Sequence, residues 1–151
     1  MKHRLSVGVL AAAVFTVGCL NGDKDPLAPN ATEPFDVTVT NRTAADGEAF
    51  PVSLVTAGPN ELTVKVTRHA LCGTIVHAFV FRATTEIDIV THVTSDPTAN
   101  CGTIPANAVV DYEGTITGVA AARYTVKLWE GEGNGAPKLM GSGVITVPAG
   151  P

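Results

Sequence analysis

Aromatic residues make up only 5% of this 151-residue chain and charged residues only 16%, with a single Trp. Lys and Arg number ten against fourteen Asp and Glu, and no basic stripe or cluster occurs. Nucleic acid is therefore an unfit partner, because binding it needs cationic groups to displace counter-ions. There is no Gly-rich phosphate loop, so phosphate-bearing ligands have no cradle. Ser53, Ser95 and Ser142 lie outside any nucleophile-elbow pattern, and the carboxylates occur singly on polar strand faces or in turns. No acid, base and nucleophile assemble, so the sequence reads as a non-enzymatic protein with no cofactor.

Long apolar runs are also missing. The longest stretch of this kind, Leu5 to Gly18, spans 14 residues, short of the roughly 18 to 20 that a helix needs to cross a bilayer. It follows Lys2 and Arg4 and ends on Gly18-Cys19, after which the chain turns polar. A charged start, a short apolar run and a small residue at the boundary are the parts of an export signal.

The tetrapeptide Thr16-Val17-Gly18-Cys19 resembles the lipobox of bacterial lipoprotein signals, with Thr16 in place of the usual Leu. The resemblance implies removal of residues 1–18 and lipidation of Cys19. Two or more acyl chains anchor stably where one does not, each buried CH₂ contributing about 0.8 kcal/mol. Leu20 stands where many enterobacterial lipoproteins retained in the inner membrane carry Asp, which leans towards the outer membrane. The expected location is thus the cell envelope, membrane-anchored by lipid and facing periplasm or exterior.

Three cysteines are odd for an exported chain until Cys19 is assigned to lipid, which leaves Cys72 and Cys101 as a pair. Export exposes them to oxidising conditions, so a disulfide is expected. Removing residues 1–18 leaves eight basic against fourteen acidic residues, a charge of −6 that favours solubility.

Residues 19–34 combine the candidate lipidated Cys with three prolines, several charges and no apolar period, the composition of a tether. From Phe35 the pattern alternates: Phe35, Val37 and Val39 on one face, Asp36, Thr38 and Thr40 on the other. The same period of two recurs in Leu62, Val64, Val66 and in Tyr124, Val126, Leu128, marking half-buried strands. Residues 75–83, "IVHAFVFRA", are apolar on both faces and predict a central strand. Further strands are expected at 52–56, 87–94, 112–118 and 139–147, with Gly58-Pro59-Asn60, Asp96-Pro97 and 131–137 as breaks.

These segments predict an all-β domain over 35–148, a single antiparallel Greek-key sandwich of immunoglobulin-like or transthyretin-like type, with a small β-barrel as the alternative. Val119 to Tyr124 resembles the tyrosine corner of immunoglobulin-like sandwiches, Ala121 and Ala122 standing where that motif carries Pro and Gly. The resemblance implies that the Tyr124 hydroxyl bonds back to the backbone.

Three groups invite chemistry. His69, Cys72 and His77 are ligand types for copper or zinc, but no His between the export signal and His69 and no following Met complete such a site, and a partly buried, hydrogen-bonded His77 is the simpler reading. Glu130, Glu132 and Asn134, followed by Gly135, place oxygens at the alternate positions that a calcium loop uses. Gly141 occupies the slot where a bidentate Glu belongs, and an acidic, Gly-rich connection explains the stretch without an ion. Trp129 falls on the polar face of its strand, open to a protein or glycan contact or to cover by a neighbouring loop.

The function expected is that of a cell-envelope lipoprotein displaying a non-catalytic interaction module, with partners in another envelope protein or a cell-wall component. A calcium- or ligand-binding receptor domain is the alternative. Contacts are expected in the connections 96–107 and 131–137, where sequence varies without disturbing the sheets.

Overall fold

A computed structural model describes residues 33–151; the signal segment, Cys19 and most of the tether lie outside the described residues. The strands are β1 (Glu33–Phe35), β2 (Val37–Thr43), β3 (Val52–Gly58), β4 (Glu61–His69), β5 (Thr74–Arg82), β6 (Glu86–Ser95), β7 (Ala108–Thr117), β8 (Ala122–Glu132) and β9 (Lys138–Val147). They form a five-stranded sheet, β1-β5-β6-β8-β9, facing a four-stranded sheet, β2-β7-β4-β3. The sheets do not close on each other, so the fold is an open sandwich and the barrel alternative falls. Strands β4 to β7 wind through both sheets and β7 returns beside β4, the Greek-key course. One pair departs from the antiparallel expectation: β6 and β8 run parallel.

Alternation dictates the core. Leu62, Val64 and Val66 of β4 point inward with Ile87, Ile89 and Val93 of β6 and Val126 and Leu128 of β8, all at most 3% exposed. Burying each such side chain contributes about 1.5 to 3 kcal/mol.

Two predicted elements come out differently. The run from Phe35 to Thr40 keeps its alternation but is two strands, since the chain changes sheets at Asp36. The crossing passes so close to Gly114 that a Cβ there would lie 2.7 Å from the Asp36 carbonyl oxygen, so only glycine fits. The strand predicted as central, β5, lies next to the edge, flanked on its outer side by the three-residue β1. Its inward residues are Val76, Ala78 and Val80, while Ile75, His77, Phe79 and Phe81 face out.

The pairings orient the molecule. β1 begins at Glu33 opposite Val80, near the lower end of β5, and β9 finishes at Val147 opposite Ala122, where β8 starts. This is the entry end. It also holds Asn60, in the left-handed conformation at φ 56°, whose N–H donates to Pro148 and whose side chain accepts from Gly150. The connections 44–51, 70–73, 96–107 and 133–137 all lie at the opposite, loop end, tied by bonds such as Ala44 N–H to Asn107 and Gly133 N–H to Val93. A ten-residue strand separates the ends by about 33 Å.

Candidate functional site

The loop end is built from its cysteines outward. Cys72 and Cys101 form the expected disulfide, with Cα atoms 5.5 Å apart and a sequence separation of 29. It staples the twelve-residue connection between Ser95 and Ala108, the longest in the domain, to the short turn 70–73. Gly73, at φ 55°, lets that turn close: a Cβ there would stand 2.6 Å from the Ala99 side chain and 2.7 Å from that of Asp96. The Asp96 N–H donates to the Cys72 and Gly73 carbonyls, and its carboxylate accepts from the Thr98 hydroxyl and N–H. Those Thr98 bonds hold the Asp96 carboxyl below its usual pKa. The connection is thus ordered at its root while Ile104 stays exposed.

Beneath the loops lies a polar cluster that joins the two sheets. Arg68 of β4, 7% exposed, donates to Glu130 at 2.8 Å and to Glu132 at 2.5 Å. The Tyr112 hydroxyl donates to the other Glu130 oxygen at 2.7 Å and lies 2.9 Å from the Thr91 hydroxyl. Burial, and then the Glu130 carboxylate, push the Tyr112 phenol above its ordinary pKa, so it holds its proton as a donor. Among the described residues no buried side-chain nitrogen or oxygen lacks a partner.

Glu130 and Glu132, the calcium candidates, lie at the end of strand β8, and both carboxylates are engaged by the Arg68 guanidinium. Asn134 sits exposed in the tight β8–β9 turn, which Gly133 at φ 57° allows. Among the described residues no three His, Cys, Asp or Glu side chains gather to hold a metal. His69 packs edge-on against Phe50 at 4.4 Å, and Cys72 is in the disulfide. His77, expected to be partly buried, is exposed, because the inward slots of β5 go to Val76, Ala78 and Val80.

A second network pins the connection 44–51 to the outer face of the four-stranded sheet. Arg42 bridges Glu48 and Asp111, the latter also accepting from the Thr67 hydroxyl at 2.6 Å. The hydrogen bond from Arg42 dominates the lowering of the Glu48 carboxyl to about 2, helped by the Ala45 N–H. Asp111 is lowered for the same chief reason, and Arg42 is raised in turn.

The outer face of the five-stranded sheet carries Phe79, Phe81 and Trp129. Trp129 is half-buried there and donates from Nε1 to Asp88 at 2.8 Å, and its register neighbour Val90 is fully covered between Phe79 and Trp129. His92 leans over Gly131, where a Cβ would lie 2.7 Å from its Nε2.

Arg68, Tyr112, Thr91, Arg42 and Asp111 were not singled out from sequence. A signal existed for two of the cluster: Arg68 continues the inward register of Leu62, Val64 and Val66, and Glu130 that of Tyr124, Val126 and Leu128. A charge in an inward slot calls for a partner across the core.

No protein-family model matches the chain, and comparison with curated proteins and with solved structures finds no match.

Proposed function

We propose that this chain is a lipid-anchored protein of the cell envelope whose β-sandwich binds another envelope protein or a cell-wall component through its loop end, without catalysis. The observation that carries the reading is polarity: β1 begins at Glu33 on the entry end, and the four connections 44–51, 70–73, 96–107 and 133–137 gather about 33 Å away. A tether attached at the entry end presents the opposite end outward. Anchoring also confines the domain to a thin layer and raises its effective concentration towards neighbours, so that a weak contact is occupied.

The stapled connection 96–107 supports the reading further. Its residues are exposed from Asn100 to Asn107, it offers Ile104 as an apolar anchor, and the disulfide lowers the ordering cost of binding. Thr16-Val17-Gly18-Cys19 supplies the anchor, and Leu20 favours the outer membrane.

Photo-reactive amino acids placed at Ile104, Asn134 and, on the entry end, Thr84 test the proposal in intact envelopes. Cross-links to one partner from Ile104 and Asn134 but not from Thr84 are expected. Cross-linking from Thr84 alone would reverse the orientation, and a turnover-dependent activity of the purified protein would end the non-catalytic reading. The anchor is tested separately: Cys19→Ala should stall processing or release the protein from membranes, and unchanged partitioning would defeat it.

A further inference from the structure

Strands β3 and β9 are the free edges of the two sheets, and they lie on the same side of the sandwich. Strand β3, Val52–Gly58, contains no charged residue, and the one charge on β9 is Lys138 at its first position, leaving Leu139–Val147 uncharged. The other two edge strands carry Glu33 on β1 and Arg42 on β2. Charges on an edge are the usual guard against strand pairing, and from Leu139 to Val147 and along β3 this side has none. It also carries most of the exposed large apolar side chains among the described residues: Val52 and Leu54 on β3, Leu139 and Val144 on β9, with Val144 57% exposed.

Between the two edges a groove of about 280 Å³ opens onto the core, lined by Ser53 and Val55 on one side and Val126, Leu128, Gly141 and Gly143 on the other. Gly141 and Gly143 stand opposite Leu128 and Val126 in the ladder, hence at inward positions, and a Cβ on either would meet nothing within 4 Å. Two side chains are missing from the wall.

We infer that this side is a homodimer interface in which β9 pairs antiparallel with β9 of a second copy, the two-fold axis passing by Val144. The axis position follows from the ladder. The register of β9 on β8 is regular from Gly141 to Val147 and shifts between Leu128 and Trp129, so the straight segment is centred on Val144. About that centre Val144 faces Val144 of the second copy, Gly143 faces its Ile145, Gly141 its Val147, and Ser142 its Thr146. Each glycine thus meets a large inward side chain, and Ile145 of the second copy lies beside the open groove.

Charge argues for a second copy as the occupant. A two-fold edge sets each residue near its own duplicate, so any net charge on β9 would repel itself, and β9 from Leu139 onward has none. The union makes one ten-stranded sheet from two five-stranded ones and leaves the loop end free. It is independent of the contact surface proposed above.

The test is sedimentation velocity of the full chain in a mild non-ionic detergent over about 1 to 100 µM, with folding checked by circular dichroism. The parent should dimerise in this range. Val144→Lys, exposed and outward in the monomer, should fold normally and sediment as a monomer, with affinity at least tenfold weaker. Val144→Glu should behave alike, and mixing the two variant chains should restore the dimer, because only residue 144 facing itself puts Lys opposite Glu. A monomeric parent across the range overturns the inference. So does a dimer that survives Val144→Lys, which would come from another surface or from shared micelles, and so does failure of the mixed chains to associate when each is folded.

Discussion

The Tyr124 hydroxyl donates to the Ala120 carbonyl at 3.1 Å, four residues back along the chain, with Val119 and the Tyr124 ring both buried in the core. The tyrosine corner therefore forms without the Pro and Gly of the motif. The Arg82 guanidinium closes the same bend from outside, donating to Thr117 and Gly118. Tyr124→Phe keeps the ring and loses one hydrogen bond, and should lower unfolding stability by about 1 kcal/mol. Urea denaturation at neutral pH measures it, and an unchanged midpoint would show the hydroxyl to be idle.

Glu130 and Glu132 share Arg68 but not its environment, their side chains being 12% and 61% exposed. Glu130→Ala strands Arg68 and the Tyr112 hydroxyl in the interior and should cost about 3 kcal/mol or more. Glu132→Ala should cost less than about 1 kcal/mol, because water replaces its partner. Equal losses in paired denaturation curves would contradict the division of roles.

Acid should loosen the connection 44–51 late. The Glu48 carboxyl is lowered in the folded protein from 4.5 to about 2, so its contribution is complete above the unfolded value and disappears as pH falls from about 4.5 towards 2. Carboxyl NMR titration should put the Glu48 midpoint near 2 in the parent and in the ordinary range in Arg42→Gln. A normal midpoint in the parent would remove Arg42 as the cause.

The disulfide should matter more to the loop end than to the sheets. Closing a loop of 29 residues is worth roughly 3 to 4 kcal/mol in the chain-entropy model. A Cys72→Ala, Cys101→Ala double variant should lose about that much. Its amide exchange should rise first over 96–107, with the Tyr124 corner still protected. Uniform acceleration would mean that the staple supports the whole fold.

Much of the fold was legible in sequence because a half-buried strand writes itself as period two. Leu62-Val64-Val66 and Tyr124-Val126-Leu128 named both the strands and their inward faces. The cysteines were legible by elimination, and the pair meets as expected. His77 was misplaced because β5 is apolar on both faces, so its pattern carries no information on which side is in. That Glu130 meets Arg68 was not legible, because spacing along a chain does not reveal a partner arriving from 62 residues away.

The sequence by itself determined which segments become strands, which face of the amphipathic ones is buried, and where the chain bends at Val119 to Tyr124, since these depend on neighbours a few residues apart. Only the tertiary structure decided that the chain changes sheets at Asp36, that β6 and β8 lie parallel, that Arg68 meets Glu130 across the core, and that β3 and β9 share one side. Each of those is a relation between segments distant in sequence, settled by how two twisted sheets pack and close, and no local pattern encodes it.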